Sequence, residues 1–395
     1  MQEKTVWVVG HKNPDTDSIC AAIAYAYLKN ATEEGTVFVP KRVGNINNET
    51  RYVLQRFDVK EPEMISYVGA QIKDIDYRHT DGVSGHYSLK KAWELMRKLD
   101  VVTLPVVDVN KRLEGVIVNG DIAYSYMDIL DNRILGQAKT QYRNIIETIQ
   151  GTMVTGNYHA HFTKGKVVVA SGNRETLREE VEDDDLVIIG NIKERQLIAI
   201  EQNASCVIVC GKTKVDPEVV EEAKKKECVL ITTNYDSFTT ARLIHQSMPI
   251  RHFMTKENII TFEPDDYVDD VKETMSKIRH RDFPILDEQR RLVGMMSRRH
   301  LLNMTKKQLI LVDHNEKTQA VDGIDQADIL EIIDHHRLGS LETITPIFFR
   351  NQPLGCTATI IYQMYEEKGI EINEQIAGLL CAAIISDTLM FRSPT

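Results

Sequence analysis

The sequence lacks the features of a secreted or membrane-bound protein. Its six cysteines are scattered and form no CxxC pair, which favours reduced core thiols over a disulfide framework. No apolar run approaches the roughly 20 residues that a membrane span requires. The apolar stretch near the start, Val6 to Val9, is too short for a secretory signal. We therefore predict a cytoplasmic protein with no membrane partner.

The sequence also lacks an excess of positive charge. It has 58 acidic and 48 basic residues, giving a net charge of −10. Nucleic-acid-binding proteins usually present a basic face to the phosphate backbone, so no nucleic-acid partner is predicted. The acidic composition does not exclude binding of small phosphate compounds, because bound metal ions can supply positive charge. The length of 395 residues predicts about two to four globular domains.

Both ends of the chain place polar residues directly after short apolar runs. The runs at residues 5–9, 308–312, 329–333 and 382–385 are predicted to be buried strands, as is the run at 36–39. A helix is predicted between Ser18 and Lys29, where apolar residues follow helical spacing. Ligands of open α/β sheets bind beyond the carboxyl ends of strands, so the two ends are expected to build one site.

The segment 10–18 (GHKNPDTDS) carries the strongest chemical signal. It places the imidazole of His11 and the carboxylates of Asp15 and Asp17 within seven residues. The alternation of Asp15 and Asp17 predicts that both face a metal pair from an extended loop. Imidazole and carboxylate donors suit Mn²⁺, Co²⁺ or Mg²⁺. Further donors of these kinds follow the other runs: Asp313, His335, His336 and Asp387.

Such a set of donors is typical of two-metal phosphohydrolases. Two divalent ions about 3.5–4 Å apart can bind an attacking water and an electrophilic phosphorus together. The ions repel each other, so carboxylates must bridge them. The pattern therefore predicts a metal-dependent phosphohydrolase.

The joint pattern resembles the DHH phosphoesterase superfamily. Within it, the segments GHKNPDTDS, VDHNE, IDHHR and SDTLMFRSPT are similar to family II (manganese-dependent) inorganic pyrophosphatases. The resemblance implies two Mn²⁺ or Co²⁺ ions, Mg²⁺ arriving with the pyrophosphate substrate, and catalytic roles for Asp313 and His336. The implied ligands of one ion are His11, Asp15, Asp313 and Asp387, and those of the other are Asp17, Asp313, His335 and Asp387.

Between the two ends lies an internal repeat. Pro105 and Pro284 each have a Met nine residues before them and a Gly ten residues after them. The repeat resembles a pair of CBS domains, and the stretch between its copies resembles a DRTGG domain by its placement and by residues 236–240. The implied fold is α/β. A DHH-type parallel-sheet catalytic domain (1–65 and 306–395) is interrupted by a CBS module (66–125), a DRTGG-like α/β domain (126–247) and a second CBS module (248–305).

CBS pairs typically bind adenine nucleotides, so the resemblance implies regulation by AMP, ADP, ATP and diadenosine polyphosphates, and association into homodimers. The first copy keeps Asp121 but has Val118 where the family has a hydroxyl, and the second keeps Ser297 but has His300 in place of the Asp. Two complete nucleotide sites are therefore not assumed. The residues expected to contact nucleotide are Thr103, Pro105, Asp121, Arg279, Arg281, Phe283, Pro284 and Ser297.

Two other functions fit parts of this pattern. One is another DHH enzyme, such as a nuclease for short oligonucleotides or a cyclic dinucleotide phosphodiesterase. The other is a nucleotide-sensing protein with an inactive or truncated catalytic half. Family II pyrophosphatases carry a second catalytic domain that clamps the substrate, and the sequence ends at Thr395, eight residues after Asp387. The resemblance therefore implies that the clamp domain is absent and that activity is low.

Overall fold

The computed structural model describes residues 4–127, 131–212, 214–304 and 306–393. The chain forms two compact units. The first contains residues 1–76, 264–279 and 298–395, and the second contains residues 77–263 and 280–297. Residues 394–395 of the SDTLMFRSPT segment lie outside the described residues. No helix in the described ranges is both long enough and apolar enough to cross a membrane.

The strands follow in chain order: β1 (Lys4–Val9), β2 (Thr36–Arg42), β3 (Glu63–Met64), β4 (Arg78–His79), β5 (Val83–Ser84), β6 (Thr103–Val107), β7 (Leu113–Val118), β8 (Thr140–Gln141), β9 (Gly151–Thr155), β10 (His161–Phe162), β11 (Val167–Val169), β12 (Leu186–Ile189), β13 (Cys206–Cys210), β14 (Val229–Thr233), β15 (Asp282–Leu286), β16 (Leu292–Ser297), β17 (Gln308–Val312), β18 (Asp328–Asp334) and β19 (Phe348–Asn351).

The α-helices follow in the same way: α1 (Thr16–Thr32), α2 (Asn48–Arg56), α3 (Leu89–Leu99), α4 (Asn119–Met127), α5 (Ile134–Gln137), α6 (Tyr142–Ile149), α7 (Arg174–Glu180), α8 (Lys193–Glu201), α9 (Pro217–Lys225), α10 (Ser237–Ile244), α11 (Val268–Ser276), α12 (Thr357–Lys368) and α13 (Glu374–Asp387).

The first unit is built on a parallel sheet in the order β19-β18-β17-β1-β2-β3. Its central strands are mostly apolar because both faces of the sheet are buried. Ile310 and Val312 belong to the core shared with α1, α12 and α13, whereas Leu309 and Leu311 belong to the core on the opposite face. The predicted strands at both ends of the chain are thereby brought into one sheet.

One predicted strand of this unit is wrong. Residues 382–385 lie in helix α13, so Asp387 ends a helix instead of following a strand. A short apolar run does not distinguish a buried strand from a buried helix segment. The run continues a longer segment rich in Ala and Leu, which are strong helix formers, and the side chain of Asn373 caps its start by accepting from the Ile376 N–H.

The expected extended loop around Asp15 and Asp17 is also wrong. Asp15 is the N-cap of α1, where its carboxylate accepts from the Ser18 N–H at 2.9 Å, and Asp17 lies in the first helical turn. A carboxylate is favourable at both positions, since the first turn leaves N–H groups unpaired and carries the positive end of the helix dipole. The helix therefore starts two residues before the predicted Ser18.

The middle of the second unit is a sheet in the order β11-β12-β13-β14-β9, parallel except for the edge strand β9. Its four parallel strands, β11 to β14, are short and mostly apolar, as buried parallel strands usually are. The acidic run at residues 179–185 spans the end of α7 and a turn. Its last member, Asp185, is buried and accepts from the backbone N–H groups of Lys166 and Glu182.

The two repeat copies fold alike. The strands of hairpin β6–β7 and of hairpin β15–β16 pair in the same register, with Pro105 opposite Val116 and Pro284 opposite Met295. In both hairpins the register shifts at the same place, one residue after the Pro. Equivalent residues of the copies also meet, because the Thr103 hydroxyl donates to Asp282 at 2.7 Å. The repeat read from the sequence is thus a pair of matching structural units.

Candidate metal centre

The predicted metal ligands meet at the carboxyl ends of β1, β17 and β18. From β1 the sheet is extended by β2 on one side and by β17 on the other, so the connections leave in opposite directions at this point. Such a reversal opens a crevice where ligands bind in α/β sheets. His11 follows β1, Asp313 follows β17 and His335 follows β18.

Three overlapping groups of side chains bring their donor atoms within 4.8 Å of one another: His11, Asp15 and Asp313; Asp313, His335 and His336; and Asp17, His335 and Asp387. The Nε2 atom of His11 lies 3.4 Å from carboxylate oxygens of both Asp15 and Asp313. The Nε2 atom of His335 lies 3.5 Å from Asp313 and 3.6 Å from Asp387. Asp313 is therefore the residue that links the two ends of the chain.

Asp313 has an unusual backbone conformation. Its φ of 64° lies in the left-handed region, which non-glycine residues adopt rarely, although Asp tolerates it better than most. Its N–H donates to the Ile333 carbonyl at 2.9 Å, which ties the residue to the end of β18. Strain of this kind clusters at functional sites. Here it turns a carboxylate that is only 1% exposed toward the cluster.

The imidazole of His335 fits a metal ligand. Its Nδ1 lies 2.8 Å from the Leu354 carbonyl, which fixes the ring orientation if Nδ1 carries the proton. Its Nε2 is buried and has no hydrogen-bond partner among the described residues. Metal-binding histidines typically donate one ring N–H to a carbonyl or carboxylate and present the other nitrogen to the ion. The donor set therefore fits divalent ions such as Mn²⁺ or Co²⁺.

Asp17 is held from the opposite end of the sequence. Its carboxylate is fully buried and accepts from the backbone N–H groups of Thr357 and Ala358, at 2.6 and 2.9 Å, at the start of α12. The Thr357 hydroxyl donates to Asp313 at 3.0 Å. One residue thus orients two predicted ligands. No local sequence signal pointed to Thr357, because it lies 340 residues from Asp17.

His336 is positioned by Asp334. The fully buried Asp334 carboxylate lies 2.8 Å from the His336 Nδ1 and accepts from the His335 N–H at 2.8 Å. Asn315 donates its side-chain N–H to the other oxygen of Asp334. His336 is half exposed, so its Nε2 edge is open to a ligand. Asp334 was not among the predicted site residues, although it is the first residue of the DHH triplet.

The cluster contains more carboxylates than its own positively charged side chains can neutralise. Burial, reinforced by the charges of Asp313 and Asp387, raises the pKa of Asp17 well above its usual range. Burial and the charge of Asp313 raise the pKa of Asp387 to about 6. Although burial works against it, hydrogen bonding to Asp15 and Asp313 raises the pKa of His11 to about 10. Divalent cations would relieve this repulsion.

Two polar residues, Lys12 and His314, directly follow the predicted ligands His11 and Asp313 in the sequence. His314 is fully buried, with Nδ1 2.9 Å from the Val312 carbonyl and Nε2 without a hydrogen-bond partner among the described residues. Lys12 forms an ion pair with Asp322 at 2.6 Å. Neither belongs to the three donor groups.

The predicted nucleotide contacts fall into both units. Arg279 ends a segment of the first unit, and the other seven residues lie in the second. Asp121 accepts from the Val118 N–H at 2.9 Å, and Phe283 is buried. Thr103 is also buried and is engaged with Asp282. Their roles as nucleotide contacts stay predictions.

Replacing Thr357 with Val is expected to weaken metal binding about 10–100-fold, the usual effect of removing a group that orients a ligand. The substitution removes the hydroxyl that Asp313 accepts from but keeps the backbone N–H that serves Asp17. Metal affinity is measured by calorimetry with Mn²⁺. Thr32→Val, an exposed site at the end of α1, is the matched control, and equal affinity in both variants would refute the positioning role.

Comparison with known proteins gives consistent matches. The model of the DHH family, N-terminal domain, matches residues 5–384. The chain is 43% identical over 390 residues to a cobalt-dependent inorganic pyrophosphatase of Clostridium perfringens (strain 13 / Type A), and 36% identical to a probable manganese-dependent inorganic pyrophosphatase of Thermotoga maritima. Each match covers 99% of this chain and 71% of the other protein.

A solved structure resembles the inserted region. It contains the CBS and DRTGG domains of the regulatory region of the Clostridium perfringens pyrophosphatase, complexed with the activator diadenosine tetraphosphate. The match has a TM-score of 0.56 and 37% sequence identity. It covers 58% of this chain and 100% of that one.

Proposed function

Because this chain belongs to the DHH family, among the metal-dependent inorganic pyrophosphatases with CBS and DRTGG regulatory domains, we propose that it hydrolyses inorganic pyrophosphate to two phosphates. The observation that carries the proposal is the set of three overlapping donor groups within 4.8 Å. Asp313 belongs to two of these groups and His335 to two, as expected for a centre that holds a pair of ions.

Asp313, which belongs to two donor groups, would serve both ions, and the resemblance assigns the same role to Asp387. His11 and Asp15 complete the ligands of one ion, and Asp17 and His335 complete those of the other. When bound, Mn²⁺ or Co²⁺ ions lower the pKa of a shared water and neutralise charge on the phosphates, with Mg²⁺ accompanying the substrate. Carboxylates shared in this way would offset the mutual repulsion of two adjacent dications.

The protein's own contribution is positioning and charge. Thr357 and the Leu354 carbonyl fix Asp17, Asp313 and His335 in place. The hydrogen bond to Asp334 raises the pKa of His336, which favours the protonated ring, and the Nε2–H of that form can be donated to a phosphate oxygen. Preorganised donors of this kind stabilise charge that develops in the transition state.

The activity is tested by measuring phosphate release from pyrophosphate with Mn²⁺ or Co²⁺ and Mg²⁺. Release that stops on adding EDTA and returns with Mn²⁺ is the expected result. A labelled dinucleotide is the comparison substrate. Faster cleavage of the dinucleotide than of pyrophosphate would favour another DHH phosphodiesterase, and nucleotide binding without any phosphate release would favour an inactive sensor.

Metal binding is expected to release at least about two protons at pH 7. Without metal, the pKa of His11 is about 10 and that of His335 about 9, so both rings are protonated below pH 9. Burial opposes these shifts, but the surrounding carboxylates outweigh it. Since ligation needs neutral rings, metal affinity falls as pH falls through this range. Calorimetry in buffers of different ionisation enthalpy counts the protons, and a count of zero would contradict the ligand assignment.

We further propose that adenine nucleotides regulate turnover through the insert. The similar regulatory region was solved with diadenosine tetraphosphate as an activator, and the same compound is expected to raise the rate of phosphate release here. AMP and ADP are expected to lower it and ATP to raise it, which requires different affinities for two states. The test is a titration of each nucleotide into the phosphate-release assay, with adenosine as the control. Identical rates at all concentrations would reject regulation.

Cytoplasmic location and a homodimer complete the proposal. All six cysteines are free, and five of them are buried, as in proteins of reducing compartments. A dimer is expected because CBS pairs commonly associate. Light scattering of the intact chain measures the oligomeric state.

A further inference from the structure

The second unit contains a basic pocket that the proposed function does not use. It has a volume of about 450 Å³, within the range of small-ligand sites. The loop that follows α5 and the first residues of the predicted second CBS module (248–305) contribute its cationic side chains, and His86 and His161 contribute imidazoles. The residues with positive or titratable side chains are His86, Lys139, His161, Arg251, His252 and Lys256.

The cations of this pocket lack protein counter-ions. Lys139, Arg251 and Lys256 form no ion pair with a carboxylate in the part of the chain that the structure describes, and none of the described lining residues is acidic. Among the influences on the pKa of His86, the charge of Glu114 is the smallest. In a chain with ten more acidic than basic residues, three unpaired cations around one cavity are a marked local excess.

Two histidines of the pocket, His86 and His252, have lowered pKa values. The Nη1 of Arg251 lies 3.3 Å from the Nε2 of His86, and since a guanidinium only donates, that imidazole nitrogen accepts. Burial, then the charges of Arg251 and His161, lower the pKa of His86. Burial and then Lys256 lower the pKa of His252. The pocket thus holds positive charge that an anion would offset.

The backbone holds one of the cations in place. Lys139 has a φ of 52°, in the left-handed region that non-glycine residues rarely adopt. Its loop is fixed by Thr140, whose hydroxyl donates to the Leu135 carbonyl at 2.8 Å. Opposite it, Asn144 donates to the His86 carbonyl at 2.9 Å. The first bond ties the loop to α5, and the second ties α6 to the segment that contains His86.

We propose that this pocket binds a multiply charged phosphate anion, either an inorganic oligophosphate or the phosphate chain of a nucleotide. Lys and Arg side chains supply charge-assisted hydrogen bonds to phosphate oxygens, and Gln141, Asn144 and Thr163 add neutral polar groups. None of the eight residues predicted to contact nucleotide in the CBS copies lines it. The site is therefore separate from those contacts and from the metal cluster.

The test is lysine acetylation of the intact, metal-loaded chain, read residue by residue by mass spectrometry. The probes are inorganic tripolyphosphate and ATP, each with excess Mg²⁺. At about ten times its Kd, a bound probe should slow acetylation of both Lys139 and Lys256 about tenfold. The protection should be lost in Arg251→Gln. It should be kept in Lys98→Gln, which removes an exposed cation of α3 outside the pocket.

Each outcome decides the proposal. Protection by tripolyphosphate at the same or lower concentration than ATP identifies an inorganic ligand, and protection by ATP at much lower concentration identifies a nucleotide. Unchanged acetylation with both probes overturns the site. Equal slowing at Lys98 also overturns it, because it reports unspecific screening. Protection near the metal cluster, at Lys12, reports on the proposed function separately, so the two can fail independently.

Discussion

Replacement of Asp313 with Ala is expected to abolish metal binding and pyrophosphate hydrolysis together, with kcat falling at least about 10³-fold. Asp313 lies 3.4 Å from His11 and 3.5 Å from His335, so it is the proposed bridge between ligands from the two ends of the chain. Although burial opposes it, the close approach of these two histidines holds the pKa of Asp313 well below its usual range. Removing this carboxylate leaves two ions without their shared counter-charge.

The experiment measures bound Mn²⁺ by elemental analysis and phosphate release on the same preparation. Asp325→Ala is the matched control, since this aspartate is exposed and forms a surface ion pair with Lys317, which is worth at most about 1 kcal/mol. The control should keep both ions and full activity. Hydrolysis at the wild-type rate in Asp313→Ala would end the two-metal proposal. Circular dichroism of both variants separates loss of the site from loss of the fold.

Replacement of His336 with Gln is expected to lower kcat about 10²–10³-fold while both ions stay bound. His336 is half exposed and is held by Asp334 at 2.8 Å, so it is proposed to donate to the substrate and not to hold a metal. Gln keeps a side-chain donor but loses the positive charge. The contrast with Asp313→Ala, in which ions and activity disappear together, distinguishes a substrate contact from a metal ligand.

A second substitution tests how His336 acts. The hydrogen bond to Asp334, which outweighs the effect of burial, raises the pKa of His336. Asp334→Asn should therefore lower this pKa, so that His336 loses its proton at a lower pH. The high-pH limb of the kcat profile should shift in the same direction. His159→Gln, at an exposed loop position of the other unit, is the control. Loss of bound Mn²⁺ in His336→Gln would instead assign this residue to the metal set.

Much of the catalytic unit was predictable because its signals are local. Buried strands of a parallel sheet are continuous apolar runs, and the runs at residues 5–9, 308–312 and 329–333 form β1, β17 and β18. The repeat was equally visible, since Pro105 and Pro284 recur with the same neighbours and fold in the same register. The local signal failed at residues 382–385, where an apolar run belongs to a helix.

The sequence by itself determined the family, the kinds of metal-binding side chains and the division into two ends and an insert, because these depend on residue types and their spacing. Only the tertiary structure decided how the ligands are held. The ligands are oriented by the N–H groups of Thr357 and Ala358, by the Leu354 carbonyl and by the left-handed backbone of Asp313. These groups come from separate segments, and only folding sets their directions relative to the ligands. The basic pocket was hidden for the same reason, since its cations come from separate segments that only folding brings together.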